Sequence, residues 1–149
     1  MDLATFYGWL GVSSTSLADA NKNNGMRDAA LTAWSHLSQY ALVFFLLMVV
    51  FSIGMAIYYY TDYNNQPKRH YTPKQWLYVG IASLAIVFLI TLVFAFVMQK
   101  PGNVEGLFML ELKLALANTL YAAGFYFLTS AIWCNIPQLP TNAYRFFKL

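Results

Sequence analysis

Charge is scarce in this sequence. Asp, Glu, Lys and Arg make up only 10% of its 149 residues, where soluble domains carry roughly 25%. Apolar residues reach 59% and mean hydropathy is +0.48, which leaves too little polar surface for a water-soluble body of this size. The same figures exclude collagen, disordered polar tails, disulfide-stapled mini-proteins and coiled coils. Cysteine is scarcer still: Cys134 stands alone, with no intrachain disulfide partner and no companion thiol for a metal site. Gly-rich phosphate loops, H-E-x-x-H helices and CxxC pairs are all missing, which removes the usual scaffolds for nucleotide, zinc and thiol chemistry. The net charge is +3, yet no stretch clusters cations on a soluble face, so a nucleic-acid partner is not expected.

What is present is a set of long uncharged runs. No Asp, Glu, Lys or Arg occurs between Asp28 and Asp62, between Lys74 and Lys100, or between Lys113 and Arg145. A helix needs about 20 mostly apolar residues to cross the hydrocarbon core, and each run supplies them. The third ends near Cys134, because Pro137 and Pro140 cannot continue a helix. The sequence therefore predicts an all-α integral membrane protein with three transmembrane helices, over 37–60, 76–98 and 107–134, in an antiparallel bundle. An N-terminal extramembrane or interfacial helical segment occupies 1–36. A basic loop over 61–75 and a short one over 99–106 join the spans, and a Pro-containing basic and aromatic tail occupies 135–149.

Local punctuation supports these limits. Thr72-Pro73-Lys74-Gln75 combines a cap residue, a proline at the first helical position and a glutamine at the third. Pro101-Gly102-Asn103 precedes the third span, with Glu105 where an anion suits the helix dipole. Leu3, Phe6, Tyr7 and Leu10 fall at helical spacing, as for a segment lying on the membrane surface. Met26, Ala29, Ala30, Ala33, Trp34 and Leu37 make a stripe that runs into the first span, predicting one longer helix from about Asn24. The polar stretch 13–25 between them is expected to be held by the rest of the chain or by a neighbour. Ala18-Asp19-Ala20 has the small-residue pattern of a signal-peptidase site, but no cation precedes it and Gly8 and Gly11 interrupt the apolar stretch, so cleavage is not expected.

Orientation follows the cations. Lys68, Arg69, Lys74, Arg145 and Lys148 fall on one side, against Lys22, Arg27 and Lys100 on the other. This predicts a cytoplasmic first loop and C-terminus and an external N-terminus. The Asn- and aromatic-rich composition suits a bacterial inner membrane. Trp34 and Tyr40 on one side, and Tyr58, Tyr59, Tyr60, Tyr63, Tyr71, Trp76 and Trp133 on the other, are expected as interfacial aromatics. Arg145 and Lys148, beside Tyr144, Phe146 and Phe147, are expected at lipid headgroups or on a cytosolic partner.

The third span carries the ionisable residues closest to the membrane interior. At about 100° per residue, Glu111, Ala115, Asn118, Ala122 and Thr129 share one side of a helix, with Lys113 roughly opposite. Such a stripe faces a bundle interior or a water-filled path when it lies within the bilayer. Alternatively, 114–133 alone crosses, leaving Glu111 and a snorkelling Lys113 at the outer interface. Asn118 is deeper and points to an interhelical hydrogen bond. Ser52 and Ala56 on the first span, and Gly80 and Ser83 on the second, with Thr91 and Ala95, are candidate packing residues, because small side chains let helices approach closely.

No catalytic set accompanies these residues. His36 and His70 flank the first span on opposite sides, the Ser13-Ser14-Thr15-Ser16 cluster lacks a base and reads as a cap or loop, and no intramembrane carboxylate pair exists. Neither enzymatic activity nor a cofactor or metal is expected. The expected role is a structural subunit of an oligomeric membrane assembly, with membrane lipid and either copies of itself or other membrane subunits as partners. A homo-oligomeric channel lined by the third-span stripe is the alternative, and an accessory or substrate-binding subunit of a membrane enzyme is a third.

Overall fold

Every regular element is helical in the computed structural model, which describes residues 3–11, 13–65, 73–98, 104–139 and 147. α1 (Leu3–Tyr7) passes into a 3-10 turn (Gly8–Leu10), and α2 (Ser14–Ala20) and α3 (Arg27–Gln39) lead to three long helices. These are α4 (Ala41–Thr61), α5 (Pro73–Met98) and α6 (Leu107–Asn135), of 21, 26 and 29 residues. At about 1.5 Å per residue each reaches the roughly 30 Å of a bilayer core. They are apolar on nearly all sides, as helices surrounded by lipid are. The chain is an all-α integral membrane protein with three membrane-spanning helices and short N-terminal helices.

Local chemistry sets the starts and stops. Ser13 and Ser16 form a reciprocal cap on α2, each hydroxyl accepting the other's backbone N–H at 3.1 Å. Gly11 closes the preceding 3-10 turn at φ +67°, a left-handed conformation that favours glycine. α5 starts on Pro73, the N1 position where a missing N–H is harmless; Thr72, its expected cap, lies outside the described residues.

One expectation needs correcting. The stripe entering the first span is not part of one unbroken helix from Asn24. Helix α3 begins at Arg27, and Tyr40 separates it from α4. At φ −97°, ψ 3°, Tyr40 sends its N–H three residues back, to the Leu37 carbonyl at 3.1 Å. Its own carbonyl accepts the Phe44 N–H at 2.9 Å, so α4 starts at once. The first span accordingly begins at Ala41 rather than 37.

The chain divides into two compact units, and α4, α5 and α6 each give one stretch to both. Unit one comprises Met1–Leu47 and Phe88–Asn118; unit two comprises Met48–Val87 and Thr119–Leu149. In unit one α2 packs on α3, Phe6 stacks on Phe45 with centroids 4.7 Å apart, and Phe44 meets the edge of Phe94 at 5.1 Å. In unit two Tyr59, Tyr60, Val79 and Cys134 form a buried cluster flanked by Trp76, Trp133 and Phe147. Only 28%, 22% and 33% of the apolar windows of α4, α5 and α6 are buried, so most of each span faces outward.

Candidate functional site

The buried face of α6 within unit one starts at Leu107 and continues through Glu111, Leu114 and Ala115 to Asn118, a step of three or four residues that keeps one helix face inward. Asn118 is fully buried and makes two bonds. Its Oδ1 accepts the Tyr7 hydroxyl at 2.6 Å, and its Nδ2 donates to Thr91 Oγ1 on α5 at 3.2 Å. The asparagine thus ties α1, α5 and α6 together through side chains. The N-terminal segment does not simply lie on a membrane surface: Tyr7 reaches a residue well inside a spanning helix.

Glu111 stands about two turns before Asn118 on the same face. It is 1% exposed, and its Oε1 has no hydrogen-bond partner. Its carboxyl is enclosed by the chain itself. Lys113 is half-buried and lines an open groove between α2 and the start of α6. A second clamp builds this groove. Fully buried Asn21 accepts the Glu105 N–H at 2.8 Å while its Nδ2 donates to the Glu105 carbonyl at 3.0 Å and to the Leu17 carbonyl at 2.9 Å. The polar stretch 13–25 is therefore held by the chain itself.

Comparison with family models, curated proteins and solved structures returns no match to this chain.

The remaining third-span residues fall in unit two. Ala122 is buried and Thr129 half-buried; the buried line steps by four from Ala122 through Tyr126 and Ser130 to Cys134. Two bonds close α5 on α6 here, and a third within α6 orients the Ser130 hydroxyl. Trp76 Nε1 donates to Ser130 Oγ at 2.9 Å, Ser130 Oγ donates to the Tyr126 carbonyl at 2.8 Å, and the Tyr126 hydroxyl donates to the Trp76 carbonyl at 3.1 Å. Gly80 makes this approach feasible, since a Cβ there would stand 3.0 Å from the Tyr126 ring. Ser52, Ala56 and Ser83 are fully buried in the same unit. Ser52 Oγ turns back to the Met48 carbonyl at 2.7 Å, while Ser83 Oγ has no partner.

The aromatic residues expected at the interface also make contacts within the chain. Trp34 is only 7% exposed and lines a small apolar cavity with Leu3, Tyr7, Leu110 and Leu114. Tyr59 and Tyr60 are fully buried, leaving Tyr58 outward at 41%; three consecutive helical residues cannot share one face. Trp76 and Trp133 are half-buried, and Trp133 stacks on Tyr60 at 6.1 Å. From the tail, Phe147 packs on Trp76 at 5.2 Å and on Phe127 at 4.9 Å, with its carbonyl accepting Asn135 Nδ2 at 2.7 Å. Tyr71, Arg145 and Lys148 lie outside the described residues. Among the described residues, no three His, Cys, Asp or Glu side chains come together.

Proposed function

We propose that this protein is a non-enzymatic membrane subunit whose role is structural, contributing packed helices to an oligomeric membrane assembly. The observation that carries this reading is Asn118. In a single copy it is fully buried and bonded to both Tyr7 and Thr91, so its polar atoms serve internal packing. The outward faces of α4, α5 and α6 stay largely apolar, with Leu46, Val50, Leu89, Val93, Leu120 and Leu128 exposed, and these surfaces are offered to lipid or to neighbouring subunits. We further infer a bacterial inner membrane, with the 61–75 loop and the tail cytoplasmic, supported by composition and by the cation count across the spans. Blue-native electrophoresis of the full chain in mild detergent tests the assembly: species several times the mass of one chain are expected, and a sole monomer overturns it.

One observation favours a second reading, a homo-oligomeric channel. Glu111 is a buried carboxyl with an unpartnered oxygen, and ionisable side chains inside a membrane commonly mark ion paths. Planar-bilayer recording separates the two readings. A channel predicts cation conductance that Glu111→Gln reduces; the structural reading predicts none in either protein.

A further inference from the structure

The end of the first membrane helix goes beyond the structural reading, because polar groups are buried there without partners. A 3-10 turn, Tyr63–Asn65, follows α4 closely, and its Asn64 is fully buried. Neither Oδ1 nor Nδ2 of Asn64 has a hydrogen-bond partner. The same holds for the hydroxyl of fully buried Tyr59, near the end of α4, and for Gln75 Oε1 in the first turn of α5. The Asn64 side chain stands close enough to act on the Tyr59 hydroxyl, yet the two do not meet in hydrogen-bonding geometry. All these atoms belong to unit two. Gln75 lies about one turn before Val79, which packs with Tyr59 and Tyr60, so it starts α5 at the end of the unit where Asn64 finishes α4.

Buried amides are almost always paired, and another asparagine of this unit is. Asn135, at the end of α6, donates Nδ2 to the Ala131 carbonyl at 2.9 Å and to the Phe147 carbonyl at 2.7 Å. Asn64 is enclosed beside ring packing instead. Tyr63, its neighbour in the turn, stacks on Tyr59 at 5.9 Å and meets the edge of Tyr58 at 6.3 Å. The rings favour the closed turn and the amide opposes it, because a buried donor or acceptor without a partner has lost its hydration for nothing in return. A 3-10 turn has poorer hydrogen-bond geometry than an α-helix, so its own backbone adds little resistance. Asp62, between α4 and the turn, is exposed, and an acidic side chain there is at home in water, not in hydrocarbon. We propose that Tyr63–Asn65 is a latch that opens by local unfolding, carrying the Asn64 amide out to water and uncovering the Tyr59 hydroxyl while α4 stays helical. Such openings come from the least stable parts of a fold, and here the Tyr63 ring and the Asn64 amide set the balance from opposite sides.

Hydrogen exchange read by mass spectrometry on the full chain in lipid nanodiscs tests this. In wild type the backbone amides of 62–65 are expected to exchange faster than those of 133–136, where the paired Asn135 ends α6. Asn64→Leu removes the polar atoms and keeps the bulk, so it is expected to slow exchange over 62–65 and to raise the melting temperature. Tyr63→Ala removes the ring that favours closure, so exchange over 62–65 is expected to quicken while 133–136 stays as in wild type. Equal exchange at the two helix ends of wild type overturns the latch, as does unchanged exchange over 62–65 in Asn64→Leu. A lower melting temperature in Asn64→Leu also overturns it, since the buried amide would then have a partner. So does faster exchange at both ends in Tyr63→Ala, which marks loosening of the whole unit instead of the turn. Tyr59→Phe removes only a hydroxyl and decides independently of whether the other variants fold. A melting temperature at or above that of wild type is expected, and a lower one overturns the unpaired cluster on which the latch rests.

Discussion

The two units hold their helices together by different means. In unit one amides join the helices beside the Phe6–Phe45 and Phe44–Phe94 ring pairs: Asn118 joins three elements, and Asn21 holds the Glu105 backbone at both its donor and its acceptor. In unit two they are rings. Tyr59 and Tyr60 pack edge-on at 5.0 Å, Trp76 lies 5.2 Å from Tyr126, and the hydroxyls and indole add bonds around that packing. The comparison shows two answers to one problem. Lipid tails are as apolar as leucine, so burial alone does not drive helices together in a membrane; close packing or paired polar groups must do so.

This contrast predicts that the largest loss comes from removing a ring in unit two. Tyr60→Ala deletes a fully buried side chain, and large-to-small changes of this kind cost about 3 kcal/mol; unfolding in mixed micelles is the measurement. A loss below that of a unit-one amide would erase the distinction. Next is Gly80→Val, whose branched side chain collides with Tyr126 and is expected to cost about 2 kcal/mol through overpacking. At Gly54 an added Cβ would meet nothing within 4 Å, so Gly54→Ala is expected to be neutral or stabilising by up to about 1 kcal/mol, and equal effects at both glycines would refute the close-approach account. The smallest effect belongs to the amide. A double-mutant cycle with Tyr7→Phe and Asn118→Leu is expected to give a coupling of about 0.6 kcal/mol, the average for membrane hydrogen bonds, and zero coupling would remove α1 from the polar chain.

The spans were legible because a long uncharged run has few other solutions at this length: 107–134 became Leu107–Asn135, and 76–98 gained only the turn that begins at Pro73. The Ser13 cap was legible because its partner is three residues away. Long-range pairings were not. Tyr7 and Asn118 are 111 residues apart, and nothing in either neighbourhood marks the other as its partner. Tryptophan and tyrosine defeat sequence reading differently. An amphipathic ring suits a membrane interface and a core with a hydrogen-bond partner equally well, so the burial of Trp34, Tyr59 and Tyr60 is decided by which helix covers them.

Tyr40 has a mechanical consequence. A single residue joins α3 to the first membrane helix, and hydrogen bonds bind it on both sides, to Leu37 and from Phe44. Such a joint has no slack: a load that re-aims α3 must turn through two backbone dihedrals and arrives in α4 as torque.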